Sequence, residues 1–163
     1  MIYEVEGDIM LTRAAVIAQG VSVNDPMTRG LGRKLSKKFP VMRDEFQQWC
    51  DATQPEPGAI WIWSNADKLR VVNLVTSEPG DLALKRPGRP TKIAINRCLR
   101  ALARLVLEER LPSIALPKLG EGAGGVDWLE VRGMMHAQLG QLLIPLFVYS
   151  HEVVGMLASE PGM

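Results

Sequence analysis

A layered α/β domain with a largely parallel or mixed sheet is the fold class this sequence predicts. Strand-like and helix-like segments alternate along most of the chain, Val71 to Val75 is apolar on both sides of Asn73, and polar or glycine-rich turns close the strand-like runs. Alternation of that kind marks crossover units in which helices cover a sheet. A strand with apolar residues at both odd and even positions suits one covered on both faces.

In chain order, Ile2 to Val5 reads as a first strand ending at Gly7-Asp8, and Ala14 to Gln19 as a second ending at Gly20. Leu31 to Phe39 has helical spacing with Lys34, Lys37 and Lys38 outside, and Pro40 opens a further helix carrying Phe46 and Trp49. Proline fits there because its missing N–H is unneeded in a first turn. The loop Gln54-Pro-Glu-Pro-Gly58 feeds an alternating strand, Ala59 to Trp63, and Val71 to Val75 is the next strand. After a loop from Thr76 to Pro90, the longest helix runs from Thr91 to Glu109, with Ile93, Ile95, Leu99, Leu102, Leu105 and Val106 as its buried stripe. Ser113 to Leu116 reads as a buried strand, Val126 to Leu139 as a helix and Leu143 to Tyr149 as the last strand. Ligands of such sheets bind outside the carboxyl ends of the strands, where Gly7-Asp8, Asn24-Asp25, Gly30-Leu-Gly32, Thr76 to Gly80 and Gly120 to Gly125 fall.

With 163 residues, 47% of them hydrophobic, the chain suits one domain spanning 1–163 with a continuous core. Lys and Arg number 19 against 18 Asp and Glu, and a net charge so near zero gives little bulk attraction to nucleic acid or anionic membrane. No apolar run approaches the roughly 20 residues of a membrane span, and the first residues lack the layout of a secretory signal. Cys50 and Cys98, far from any CxxC spacing, read as reduced packing residues of a cytosolic protein. His136 and His151 are the only histidines, which argues against a zinc site.

The most informative stretch is Leu116-Pro-Lys-Leu-Gly-Glu-Gly-Ala-Gly-Gly-Val-Asp-Trp128, an apolar strand running into four glycines and then a helix start. Bare amides in such a turn form a nest for oxygen anions, reinforced by the positive end of the helix. Phosphate or diphosphate is the ligand this chemistry points to.

Together, Gly7-Asp8-Ile9, Asn24-Asp25 with Gly30-Leu-Gly32, Val72-Asn-Leu-Val-Thr76 and Leu116-Pro-Lys-Leu-Gly-Glu-Gly with Gly125-Val-Asp-Trp128 resemble the macrodomain family, the ADP-ribose-binding modules. Pro-x-x-Gly-x-Gly followed by apolar-acidic-Trp is similar to one branch, the terminal ADP-ribose glycohydrolases and the antitoxin-type DNA ADP-ribosyl glycohydrolases. The resemblance implies a three-layer α/β/α sandwich with a central mixed sheet. It also implies ADP-ribose as ligand, an ADP-ribosylated protein or nucleic acid as partner, and no cofactor, metal or membrane.

In that resemblance Asp8 would accept from the adenine amino group beside the Ile9 amide, although an Asp there also caps a helix start. Asn24 and Asp25 would face the distal ribose, in a sequence that is also a common turn. Gly30 and Gly32 would let backbone approach ribose and phosphate, with Thr76 and Ser77 beside them. Gly120, Glu121, Gly122, Ala123, Gly124 and Gly125 would wrap the diphosphate. Tyr149 would pack on adenine, against the plainer reading of a core aromatic. Lys34, Lys37 and Lys38 read as a solvated face in preference to a nucleic-acid contact, and Trp128 as packing against the sheet.

The chain departs from its hydrolytic relatives at two points. Ser77 stands where the lysine thought to attack the anomeric carbon follows the strand-end threonine, and Gly124 stands where an acidic residue enters the glycine loop. A serine with no base beside it is a poor nucleophile. Asp25 or Glu121 would instead hold and activate a water as an oxocarbenium-like state forms, with Lys85 or Arg86 as an electrostatic lid. Three activities stay open at this point: a hydrolase removing ADP-ribose from a macromolecule, which is preferred, a non-catalytic reader, and a phosphatase acting on ADP-ribose 1″-phosphate.

Overall fold

The computed structural model describes every residue except 67, 68, 82, 85, 87 and 123. Its strands are β1 (Ile2–Gly7), β2 (Val16–Ser22), β3 (Ile60–Ser64), β4 (Arg70–Ser77), β5 (Ile114–Pro117) and β6 (Leu146–Glu152). They form one mixed sheet in the order β1-β6-β5-β2-β4-β3, parallel throughout except for the antiparallel edge strand β3. The helices are α1 (Gly30–Lys38), α2 (Pro40–Thr53), α3 (Lys92–Glu109) and α4 (Trp128–Leu139), and a 3-10 turn covers Ile9–Leu11.

Side-chain alternation along β4 explains why apolar residues fall at both odd and even positions. Val72 and Leu74 enter the core built with α3 and α4, whereas Val71 and Val75 enter the core built with α1 and α2. The sheet is therefore the middle of three layers. Asn73, between these apolar residues, is fully buried and accepts a 2.8 Å hydrogen bond from Gln19 Nε2. That bond ties β2 to β4 on the α1/α2 side and satisfies two polar groups that would be costly if left unpaired.

Local chemistry sets the helix ends. Thr91 Oγ1 caps α3 by accepting from Ala94 N at 3.2 Å, worth about 1 kcal/mol, and Arg110 ends the helix in the left-handed region at φ 50°. Proline starts α2, and Gln54 ends it at φ 45°. By contrast, α1 starts at Arg29 without a side-chain cap.

Several boundaries differ from the sequence reading. Ile93, expected in the buried stripe of α3, is 73% exposed. It lies two residues, about 200°, from Ile95, so it cannot share the face that Ala94, Ile95, Cys98, Leu99, Leu102 and Val106 bury. β2 begins later and runs past Gly20 to Ser22, because β4 continues to pair with it as far as Ser77. β6 starts after Pro145 and runs on to Glu152, which pairs with Gly7. Cys50 and Cys98 are buried thiols in separate cores on opposite faces of the sheet. Burial pushes Cys98 up to about 12.

The strand order places a crevice. β2 leads through α1 and α2 toward β3 and β4, whereas its neighbour β5 leads through α4 toward β6 in the opposite direction. Connections that diverge from adjacent parallel strands leave a gap at their carboxyl ends. Among the described residues, no helix is long and apolar enough to cross a membrane.

Candidate functional site

The turn after β2 is locked by one carboxylate. Asp25 Oδ2 accepts from Ser22 N at 3.0 Å and Oδ1 from Met27 N at 2.9 Å, while the Asp25 carbonyl accepts from Gln47 Nε2 at 2.8 Å. These bonds hold Asn24 and Met27 at φ 57° and 52°, a conformation that side-chain-bearing residues seldom adopt. Asn24 Oδ1 is buried there with no partner among the described residues. A cavity of about 560 Å³ opens beside the turn, lined by Asn24, Asp25 and Arg29 and, across the gap, by Gly80, Asp81 and Arg86. The opposite wall is a short ladder: Glu78 N donates to Arg89 O at 2.9 Å, and Asp81 and Arg86 exchange bonds of 3.1 and 3.0 Å. Arg86, expected as part of a lid, lines this cavity. Lys85, its alternative, lies outside the described residues.

A second cavity, of about 380 Å³, sits at the carboxyl ends of β1, β6 and β5, against the start of α1. Gly30, Leu31 and Lys34 line one side, Pro117, Lys118 and Glu121 another, and Gly7, Ile9 and Tyr149 the end. The two cavities flank one segment, since Thr28 and Arg29 line the first and Gly30 and Leu31 the second. The first amides of a helix have no intrahelical partner, and α1 also lacks a side-chain cap. Its first turn therefore offers free N–H groups to an anion.

The glycine loop, of whose described residues only Glu121 lines the second cavity, is closed on itself, with Gly125 N donating to Gly122 O at 3.0 Å and Val126 N to Gly120 O at 2.8 Å. A Cβ on Gly125 would lie 2.4 Å from Gly120 O, so that glycine serves the loop's own closure. Gly122 differs: at φ 113° a Cβ would meet nothing within 4 Å. The Gly124 carbonyl accepts from Arg89 Nε at 3.2 Å. Ala123 lies outside the described residues. Glu121 is exposed and pairs with Lys118 at 3.3 Å. The two carboxylates considered for catalysis thus lie in different cavities, Asp25 in the first and Glu121 in the second.

At the β1 end, Asp8 is buried and both its oxygens are engaged. Oδ1 accepts from Met10 N, capping the 3-10 turn, and Oδ2 accepts from Gly155 N, each at 2.9 Å. Tyr149 is 5% exposed and belongs to the core while still lining the second cavity. Its hydroxyl donates to Glu160 at 2.9 Å. Burial, more than the neighbouring Glu160 carboxylate, pushes the Tyr149 phenol up to about 12, with Thr12 acting in the opposite direction. Thr76 is buried at the end of β4, where its carbonyl accepts from Thr91 N at 3.2 Å. Neither Thr76 nor the half-buried Ser77 lines either cavity. Gly32 lies within α1, where a Cβ would make only ordinary contacts with Met27 and Gln19. Trp128 is half-buried against the α3/α4 core.

Sequence reading missed Arg29, Asp81 and Glu160. The first two stand in turns of ordinary composition and gain meaning only when the loops after β2 and β4 meet. Glu160 is buried and accepts from the Thr12 hydroxyl, Arg13 N and Tyr149, all distant in sequence.

No family model matches the chain. A DNA ADP-ribosyl transferase–DNA ADP-ribosyl glycohydrolase fusion protein from Thermosipho africanus is 26% identical over 160 residues, covering 89% of this chain and 40% of that protein. The DNA ADP-ribosyl glycohydrolase of Mycobacterium tuberculosis is 24% identical over 140 residues, covering 83% and 38%. The chain thus spans about two fifths of the length of these curated relatives. Among solved structures, the macrodomain of Thermus aquaticus DarG matches with TM-score 0.79 and 25% identity over 92% of this chain and 98% of that one. Thermosipho africanus DarTG in complex with ADP-ribose matches with TM-score 0.77 and 24% identity over 93% of this chain and 41% of that one.

Proposed function

We propose, from the macrodomain fold that the chain carries, that it binds ADP-ribose across the two adjoining cavities and hydrolyses the bond joining ADP-ribose to a modified macromolecule in the cytoplasm. One observation carries this reading: both cavities flank the Thr28–Leu31 segment, one lined by polar Asn24, Asp25 and Arg86, suited to a sugar, and the other by the uncapped start of α1, whose free amides suit a diphosphate. The diphosphate would lie over the first turn of α1 and the glycine loop, with adenosine toward Ile9 and Tyr149. The distal ribose would then enter the Asn24, Asp25 and Arg86 cavity, where the unpartnered Asn24 Oδ1 accepts from a ribose hydroxyl.

In this reading a water adds to the anomeric carbon, the bond to the macromolecule breaks, and the leaving atom takes a proton. Asp25, pinned by two backbone amides and, at 3.4 Å, by the Ser22 hydroxyl, turns a remaining lone pair to that water and stabilises positive charge on the ring. With Ser77 at the position of the relatives' lysine, the chain has no lysine there for a covalent intermediate.

The same pinned geometry favours a second reading, a reader that binds without turnover, because Asp25 already accepts from two amides in the free protein. Purified protein is incubated with ADP-ribosylated DNA and with ADP-ribosylated protein, and released ADP-ribose is quantified by mass spectrometry. Release that Asp25→Ala abolishes supports the hydrolase. Calorimetric binding of ADP-ribose with no release from either substrate supports the reader, and no heat of binding refutes both. Phosphate release from ADP-ribose 1″-phosphate, measured in parallel, would point to phosphatase chemistry instead.

A further inference from the structure

We infer that the outward face of α1 docks the phosphate backbone of a single-stranded nucleic acid, laying a modified nucleotide into the crevice. The identity of the crevice ligand rests on the ADP-ribose reading above.

The near-neutral total conceals a strong segregation. Of 19 Lys and Arg, six lie between Pro26 and Arg43 (Arg29, Arg33, Lys34, Lys37, Lys38 and Arg43), where no Asp or Glu occurs. The other 13 stand against all 18 acids, so the remaining chain is net acidic by five charges. α1 buries Leu35 and Ser36 and leaves Arg33, Lys37 and Lys38 exposed. Among the described residues, Lys34 alone of the six forms an ion pair, with Glu152.

This arrangement works against the helix that carries it. Arg29, Arg33 and Lys37 are spaced i, i+4, and Lys34 and Lys38 repeat the spacing in an adjacent row, so like charges repel along both. No acid occupies the first turn, which leaves Arg29 and Arg33 at the positive end of the helix dipole. A merely solvated face interleaves acids with its lysines and avoids both penalties. A polyanion lying along the face turns both into attractions.

The face also runs directly from the site, because Arg29 lines the first cavity and Lys34 the second. From Arg29 to Lys37 is about 12 Å along the axis, enough for a few successive phosphates of one strand. A single strand fits better than a duplex, since a nucleotide entering a crevice must leave its stack.

The test uses the whole chain and the double variant Arg33→Gln/Lys37→Gln, neither residue lining the crevice. Binding of labelled, unmodified oligodeoxythymidylate is followed by anisotropy across salt concentrations, with ADP-ribose calorimetry and melting in parallel. The wild type binds the oligonucleotide, and the variant binds it at least tenfold more weakly, with a log K against log salt slope shallower by about 1.4. ADP-ribose heats stay the same, and the melting temperature is unchanged or raised. Equal oligonucleotide binding by both proteins, or polyglutamate competing as well as the oligonucleotide, overturns the inference. If the oligonucleotide result appears while neither protein takes ADP-ribose, the face stands and the crevice reading fails. If ADP-ribose binds and the oligonucleotide does not, the reverse holds.

Discussion

Asn24 carries two local costs in the free protein. Its left-handed backbone at φ 57° and its buried, unpartnered Oδ1 both oppose folding, and a loop under no functional demand would avoid both. Glycine adopts that conformation freely and removes the orphaned oxygen, while its flexibility when unfolded returns part of the gain. Asn24→Gly is therefore expected to leave stability unchanged or raised by at most about 1 kcal/mol. The same change weakens ADP-ribose binding about tenfold, near 1.4 kcal/mol, the worth of one hydrogen bond. Denaturant melts and calorimetry on one preparation measure both quantities. A clear loss of stability would show that the oxygen has a structural partner. The Asn-Asp-Pro turn was legible in the sequence because Asx side chains mark such turns locally. Whether Asp25 would face a sugar or close its own turn was not, because Ser22 and Met27 amides decide it through geometry rather than composition.

The elements were legible where one period of burial held and blurred where it stopped. Val71 to Val75 and, apart from Ile93, the α3 stripe stood out because both are packed on the faces their patterns imply. The carboxyl ends of β1, β2 and β6 were read short, since Glu6, Gly20 and His151 break the apolar run while the backbone ladder continues to Gly7, Ser22 and Glu152. The tail after β6 gave no local pattern at all, yet it forms a strap over β1. Val153 N donates to Gly7 O at 3.0 Å, Asp8 N to Met156 O at 2.7 Å, and Glu160 gathers Thr12, Arg13 and Tyr149. Glu160→Ala strands these three donors in a buried site and should cost roughly 3 kcal/mol in unfolding experiments. Tyr149 adds a pH signature: with its phenol raised from 10.0 to about 12 in the fold, the neutral form is the one folding favours. Its contribution, on the order of 2 kcal/mol, is full below pH 10 and lost as pH rises through 12. Unfolding free energy of the wild type should fall relative to Tyr149→Phe across that window. Parallel curves for the two proteins would show that the phenol is free to ionise in the fold.

At the scale of the whole molecule, the crevice exists because connections leave β2 and β5 in opposite directions, so no single element owns the site. Its walls come from the turns after β1, β2, β4 and β5 and from the end of β6, five segments joined to one another mainly through the sheet beneath them. A ligand spanning both cavities would link these turns directly, and its binding energy would add to the stability of the entire fold. At a free concentration one hundred times the dissociation constant, that linkage is about 2.7 kcal/mol. For a domain of this size each kcal/mol corresponds to about 2–4 °C, so ADP-ribose should raise the melting temperature by roughly 5–10 °C. Hydrogen exchange provides the spatial half of the same prediction. Amides at the start of α1 and in the glycine loop should slow together with those of the Ser22 to Arg29 turn, because one molecule bridges them. AMP, which lacks the distal ribose, should protect the α1 and glycine-loop amides and leave the Asn24 turn exchanging as in the free protein. Protection of the Asn24 turn by AMP as strong as that by ADP-ribose would mean the two cavities respond as one mobile unit, and the separate placement of diphosphate and distal ribose would have to be abandoned.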